Sequence, residues 1–147
     1  MKSYLTLFLF TILLISCSED SKVEAQTEAD IITYIEANNL NAKRTVSGLY
    51  YVINEAGNGT RPNSTSNVTV AYKGYFLDGT VFDKNSSGYT TGLNQVIKGW
   101  TEGLQLFKEG GEGILIVPYD LGYGINGRSG IPGGAVLVFD IKLIRVN

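Results

Sequence analysis

The chain has 147 residues, a formal net charge of −2, no histidine and one cysteine. This length suits one domain with short appendages, and the slightly acidic balance argues against a nucleic-acid partner. Without histidine or a cysteine pair, the sequence excludes His-based nucleophile systems, imidazole metal sites and internal disulfides. Catalysis must then use carboxylates, hydroxyls, backbone dipoles or the shape of a pocket.

Residues 1–17 have the organisation of a bacterial export signal. A positive charge at Lys2 precedes an apolar run that is too short to span a bilayer comfortably. The run ends in Leu-Ile-Ser-Cys17, which resembles the lipobox of bacterial lipoproteins. That resemblance implies a signal peptide over residues 1–16 and lipidation of Cys17, with the acyl chains tethering the protein to a membrane. The alternative is an ordinary signal peptide in which the cysteine is incidental.

The segment after the cysteine, residues 18–30, carries five acidic side chains and one basic side chain. Such polarity predicts a flexible tether. Its acidic residues resemble the surface-export signals of Bacteroidetes lipoproteins, and a plain solvated linker is the equal alternative.

A first helix is predicted over residues 27–39, because Thr27 and Asp30 have capping-box spacing ahead of an apolar stripe. This helix either packs on the domain or spaces it from the anchor.

From Leu49 onward the apolar residues recur with a period of two, which predicts strands. A first strand runs to Ile53 and stops at the turn around residues 57–59. A second covers residues 68–72, and Asp78-Gly79 predicts a tight hairpin into a third strand. The polar, glycine-containing residues 84–92 indicate a loop or a broken strand.

A helix is predicted over residues 97–107, where apolar residues fall at helical spacing and would meet a sheet. A short strand at residues 114–117, a glycine-rich loop at 122–134 and a last strand at 136–146 follow. The pattern predicts an α+β domain with about five strands and one helix packed on an antiparallel sheet.

Four ordered segments carry a resemblance to a known family. They are VAYKGY with DGTVFD (residues 70–83), QVIKGW with GL (95–104), VP with LGYG (117–124) and IP leading into AVLVFD (131–140). Together they resemble the FKBP-type peptidyl-prolyl cis–trans isomerases over residues 48–146. The resemblance implies an FKBP-like fold for residues 48–147, with a five-stranded antiparallel sheet wrapped around a short central helix. It also implies catalysis of rotation about X–Pro bonds, with no cofactor, metal or covalent intermediate.

The resemblance assigns roles to nine residues around a proline-binding hollow. Trp100 would be the floor, the N–H of Ile97 would receive a substrate carbonyl, and the hydroxyl of Tyr123 would be a donor. Catalytic roles fall on Tyr72, Asp83, Tyr123 and Phe139, and substrate contacts on Phe82, Val96, Ile97, Trp100 and Ile131.

Two loops depart from the family pattern. The stretch between Asp83 and Val96 is short and contains no arginine that could pair with Asp83. A pocket phenylalanine expected near Ser87 is missing, and Tyr89 is the candidate substitute. The loop before Ile131 is also shortened. Both loops border the expected site, so they bear on activity and inhibitor affinity more than on the fold.

The implied partners are proline-containing polypeptides, macrolide-type inhibitors and a membrane reached through the lipid on Cys17. We expect a monomer in the cell envelope, anchored in the outer membrane and either periplasmic or surface-exposed. One alternative is a non-catalytic chaperone or scaffold of an envelope assembly, such as gliding motility. A more remote one is a surface adhesin or glycan-binding lipoprotein.

Overall fold

The computed structural model describes residues 24–147. The predicted signal peptide and the lipidation site at Cys17 lie outside the described residues. Two helices and six strands follow one another along the chain: α1 (Glu28–Ala37), β1 (Lys43–Arg44), β2 (Tyr50–Glu55), β3 (Asn67–Tyr75), β4 (Val81–Gly92), α2 (Lys98–Leu104), β5 (Glu112–Val117) and β6 (Leu137–Val146). Two short 3-10 turns, Leu93–Gln95 and Tyr119–Leu121, precede α2 and follow β5.

All six strands form one antiparallel sheet in the order β1-β2-β5-β6-β3-β4. The predicted α+β class is confirmed, and the sixth strand is the two-residue β1, which only extends the edge beside β2. The predicted hairpin at Asp78-Gly79 is also confirmed. There the Phe76 N–H donates to the Thr80 carbonyl, and Gly79 has a φ of +87°.

Strand β6 separates the apolar interior into two layers. Its residues Leu137, Phe139, Ile141 and Leu143 face α2 in a large inner core, as their alternation predicts. Val136, just before the strand, and Val138 face the opposite side, where Ile31 of α1 covers them in an outer core. The sheet is therefore buried on both faces over its centre.

Helix α2 lies close against the inner face because small residues line its contact. A Cβ added to Gly103 would come within 2.6 Å of Leu115 Cδ1, so a larger residue there would force either the Leu115 side chain or the helix to shift. The helix is shorter than the predicted span of residues 97–107, since the chain leaves it in tight turns at Leu106 and Phe107. Phe107 still fills the core, fully buried.

Helix α1 packs on the sheet, which decides between the two roles open to it. Its predicted capping box is present, with Asp30 accepting from the Thr27 N–H at 2.6 Å. Ahead of it, the Gln26 N–H donates to Gly134 O, and Gln26 Oε1 accepts from the Val136 N–H. The predicted flexible tether was therefore wrong at this end, because hydrogen bonds to the last loop fix the backbone from Gln26 onward.

Residues 84–92 belong to β4, so the loop alternative for this stretch was wrong. The strand is nevertheless broken in register, since Val70 pairs with Tyr89 while Tyr72 pairs with Asn85. Three residues of β4, 86–88, thus stand opposite the single residue Ala71, two more than a regular ladder would place there. Asn85 Oδ1 stabilises the bulge by accepting from the Ser87 and Gly88 N–H groups, at 3.1 and 2.9 Å. Local side-chain bonding of this kind makes the sequence look like a loop.

Candidate functional site

A cavity of about 540 Å³ opens between the inner face of the sheet and the start of α2. The structure places all nine residues singled out from the sequence in its lining. They come from β3 (Tyr72), β4 (Phe82 and Asp83), the approach to α2 (Val96 and Ile97), α2 itself (Trp100), the glycine-rich loop (Tyr123 and Ile131) and β6 (Phe139).

Four aromatic rings form the deep part of this cavity. Trp100 and Phe139 are buried, and their rings meet edge to face with centroids 5.4 Å apart. Tyr72 approaches Trp100 at 5.0 Å and Phe82 approaches Phe139 at 5.6 Å, again edge to face. Such mutual packing holds the rings rigidly.

A glycine in β3 lets two of these rings close in. A Cβ added to Gly74 would lie 2.7 Å from the Phe82 ring and 2.9 Å from the Phe139 ring. Gly74 pairs with Phe139 across the sheet, so both rings lie over its backbone. Gly74 of the VAYKGY segment therefore lets the cavity wall form.

Tyr72 and Asp83 form a hydrogen-bonded pair at the cavity edge. The Tyr72 hydroxyl donates to Asp83 Oδ2 over 2.6 Å. Burial, reinforced by this hydrogen bond and the carboxylate charge, raises the pKa of Tyr72 above its usual value. The Tyr72 hydroxyl therefore stays protonated and bound to Asp83 throughout the neutral range. This hydrogen bond gives the Asp83 carboxylate a partner, since the sequence contains no arginine between Asp83 and Val96.

Two donors at the cavity, the Ile97 N–H and the Tyr123 hydroxyl, are available to a bound chain, and a third, the Trp100 Nε1–H, is unpaired within the described residues but buried. The Ile97 N–H, at the start of α2, donates to no acceptor within residues 24–147. The Trp100 Nε1–H is buried and likewise has no acceptor among those residues. The Tyr123 oxygen accepts from Arg128 Nη1 at 3.2 Å, which leaves the Tyr123 hydrogen free to donate elsewhere.

Five further residues line the cavity: Tyr89, Gln95, Arg128, Ser129 and Gly130. Tyr89 is the candidate substitute for the missing phenylalanine, and its ring meets the Tyr72 ring edge to face with centroids 6.4 Å apart. The others were not singled out from the sequence. Arg128 could have been noticed as the one charged side chain in a glycine-rich loop flanked by two candidate site residues.

No three His, Cys, Asp or Glu side chains within residues 24–147 stand close enough together to hold a metal ion. In the same part of the chain, no helix is long and apolar enough to cross a membrane.

Comparison with known proteins agrees with this geometry. The family model of the FKBP-type peptidyl-prolyl cis–trans isomerases matches residues 58–144, more than half of the chain. The chain belongs to this family.

Three relatives illustrate the match. A probable FKBP-type peptidyl-prolyl cis–trans isomerase FkpA of Neisseria meningitidis serogroup B is 47% identical over 109 residues, covering 71% of this chain and 40% of the relative. The crystal structure of FkpA from Escherichia coli superposes with a TM-score of 0.75 at 36% identity, over 81% of this chain and 58% of that one. A Pseudomonas syringae peptidyl-prolyl cis–trans isomerase gives 0.72 at 32% identity, over 84% and 98%.

The chain spans about half the length of the curated relatives it matches, between 40% and 56% of each. The chain shares its family and its fold with these relatives over the matched part.

Proposed function

We propose that the protein is a peptidyl-prolyl cis–trans isomerase that accelerates rotation about X–Pro bonds in exported polypeptides. The observation that carries the proposal is the aromatic cavity with Trp100 at its floor, lined by all nine residues that the family resemblance singles out. A macrolide-type inhibitor would occupy the same cavity. Membership of the isomerase family supports the activity.

The reaction suits an apolar hollow because it makes and breaks no covalent bond. Rotation must overcome amide resonance, a barrier on the order of 20 kcal/mol for a prolyl bond. The planar amide is more charge-separated than the twisted one. An aromatic wall, formed here by Trp100, Phe139 and Phe82, would therefore disfavour the planar ground state relative to the twisted transition state once the bound prolyl ring displaces water from it.

The free donors would orient the peptide within this hollow. The Ile97 N–H is suited to a substrate carbonyl, and the Tyr123 hydroxyl keeps its hydrogen because its oxygen already accepts from Arg128. Holding the chain by two such donors reduces the entropy lost on reaching the transition state.

We further propose that the protein works in the cell envelope as a lipoprotein. The support is the sequence over residues 1–17, with an apolar run ending at Cys17. Residues 17–47 would then connect the anchor to the isomerase domain. The outer apolar face of the sheet is covered by Ile31 and its helix, which supports the expected monomer.

The anchor is tested by labelling. Cells that express the full chain should incorporate labelled fatty acid into it, and Cys17→Ala should abolish the label. Labelling that persists in the variant would contradict lipidation at this residue.

The activity is tested by the cis–trans exchange of a proline peptide, followed by NMR exchange spectroscopy with and without the protein. We expect clear acceleration by the parent chain and a loss of about tenfold or more in Asp83→Val, because the Tyr72 hydroxyl loses its acceptor beside the cavity. Asp120→Val is the matched control, since Asp120 is exposed and does not line the cavity.

Both variants must keep the parent's circular dichroism spectrum and cooperative thermal unfolding. No acceleration by the folded parent chain would contradict the isomerase and leave a binding module on the same fold.

A further inference from the structure

Arg128 lies at the mouth of the cavity on a rigid support. Its N–H donates to Ile131 O at 3.0 Å and its carbonyl accepts from the Ile131 N–H at 2.9 Å, closing a two-residue hairpin tip. Ile131 is buried in the inner core, so the hairpin is anchored to the wall of the site. The shortened loop thus ends as a small fixed β-bridge with Arg128 at one corner.

The guanidinium of Arg128 is also held in place. Its Cζ stands 4.9 Å from the centroid of the Tyr123 ring, a cation–π distance, and Nη1 donates to the Tyr123 hydroxyl. The ion pairs within residues 24–147 join Arg44 to Glu28, Lys73 to Asp140 and Lys142 to Glu112, and none includes Arg128. Most of its donors therefore remain available to a ligand at the mouth.

We propose that Arg128 makes this site select polypeptides with a carboxylate side chain, Asp or Glu, next to the proline. The inference rests on the proposed isomerase function and names its substrate class. A guanidinium presents paired N–H donors that match the two oxygens of a carboxylate, so the contact would be bidentate and charge-assisted. Because the Tyr123 ring already restricts the side chain, Arg128 loses little further entropy on binding.

The other charge in the cavity fixes the direction of this preference. Asp83 and Arg128 are the two ionisable acidic and basic side chains in the described lining, and they come from different elements, β4 and the glycine-rich loop. Asp83 Oδ2 is engaged by the Tyr72 hydroxyl. A substrate carboxylate is repelled by Asp83 and attracted by Arg128, so an acidic residue favours the orientation that brings it to the loop side.

The test compares the kcat/KM for isomerisation of matched peptides by the full chain. One pair carries Glu or the isosteric Gln just before the proline, and a second pair carries them just after it. We expect a two- to fivefold preference, roughly, for Glu over Gln in at least one pair, as suits a rim ion pair. The preference should fade in about 1 M salt, where screening is strong.

Variants distinguish the effect of Arg128 on the Glu/Gln ratio from the effect of the protein's overall electrostatic field. Arg128→Gln should bring the Glu/Gln ratio close to one, and Arg128→Lys should give an intermediate ratio because the charge stays but the planar fork is lost. Arg145→Gln removes one positive charge from an exposed position outside the cavity and should leave the ratio unchanged. The Glu/Gln ratio is measured because a change in activity that acts through Tyr123 affects both peptides equally and therefore cancels.

The outcomes are distinct. Catalysis of all four peptides with no Glu preference, or a preference that survives Arg128→Gln, would overturn this inference while the isomerase stands. Absence of catalysis on every peptide would overturn the proposed function itself.

Discussion

The two faces of the sheet are built from the same strands but differ in what they pack against. On the inner face, Phe139 and its neighbours pack against α2 but leave a cavity of about 540 Å³ lined with aromatic rings. On the outer face, Val138 and Ile116 meet Ile31 of α1 in a smaller cluster of aliphatic residues and half-buried tyrosines. One face is covered for stability, and the other keeps an open space that a ligand can enter.

This difference lies between adjacent residues of β6. Val138 and Phe139 are both buried, yet they point to opposite faces because side chains alternate along a strand. Stability and the proposed activity should therefore be separable by single substitutions one residue apart.

The largest effect is expected from Phe139→Ala. The change removes a ring that touches Trp100, Phe82 and Tyr72, so it should destabilise the protein by about 3–5 kcal/mol and abolish measurable isomerisation. Chemical denaturation and peptide exchange spectroscopy, both at low temperature so that the variant stays folded, check the two parts. The matched control is Val138→Ala, which should lower stability and keep the activity per folded molecule. Equal activity loss in both would mean that the faces are not independent.

The inner face shows what the sequence can predict. Short motifs mark the residues that come together there, because each combines a strand or helix position with a side chain of set type. Trp100 lies at helical spacing from Leu104 and Phe107, and Phe139 lies on the alternating stripe of β6. Both the element and the buried side then follow from local pattern.

The bulge in β4 and the role of Arg128 could not be predicted in this way. Asn85 accepts three hydrogen bonds that reshape β4, and such local bonding looks like a turn in the sequence. Arg128 reaches the cavity only because the Ile131 bridge folds the loop back. The docking of α1 depends on Gln26 meeting Gly134, a contact across more than one hundred positions. This last contact is long-range, and hydrophobic periodicity carries no information on any of the three features.

A second, smaller effect is expected from Ile31→Ala on the outer face. Ile31 is 2% exposed at the centre of the α1 contact, so its truncation should cost about 2–5 kcal/mol. Ile32, the next residue, is 43% exposed, and Ile32→Ala should change stability by less than about 0.5 kcal/mol. Denaturation and hydrogen exchange of the α1 amides measure both.

Activity should persist in Ile31→Ala, because Ile31 belongs to the outer core and does not line the cavity. Loss of isomerisation in a variant that remains folded would show that α1 supports the site through the sheet. That result would join the two faces into one functional unit.

The smallest effect concerns the carboxylates at the start of α1. A hydrogen bond from the Tyr50 hydroxyl, together with Arg44, lowers the pKa of Glu28, and the Thr27 N–H lowers that of Asp30. Since both folded-state pKa values lie below the unfolded ones, their contribution to stability is full above the unfolded pKa and disappears as the pH falls through the folded value. Acid should therefore loosen α1 from the sheet before it affects the inner core.

The measurement is the thermal midpoint of the parent and Glu28→Gln across the acidic range. At neutral pH the parent should be the more stable, since the glutamine amide binds Arg44 and Tyr50 less strongly than a carboxylate does. The difference should shrink as Glu28 of the parent becomes protonated and vanish in strong acid. A difference that stayed constant with pH would show that side-chain shape, not charge, holds this end of α1.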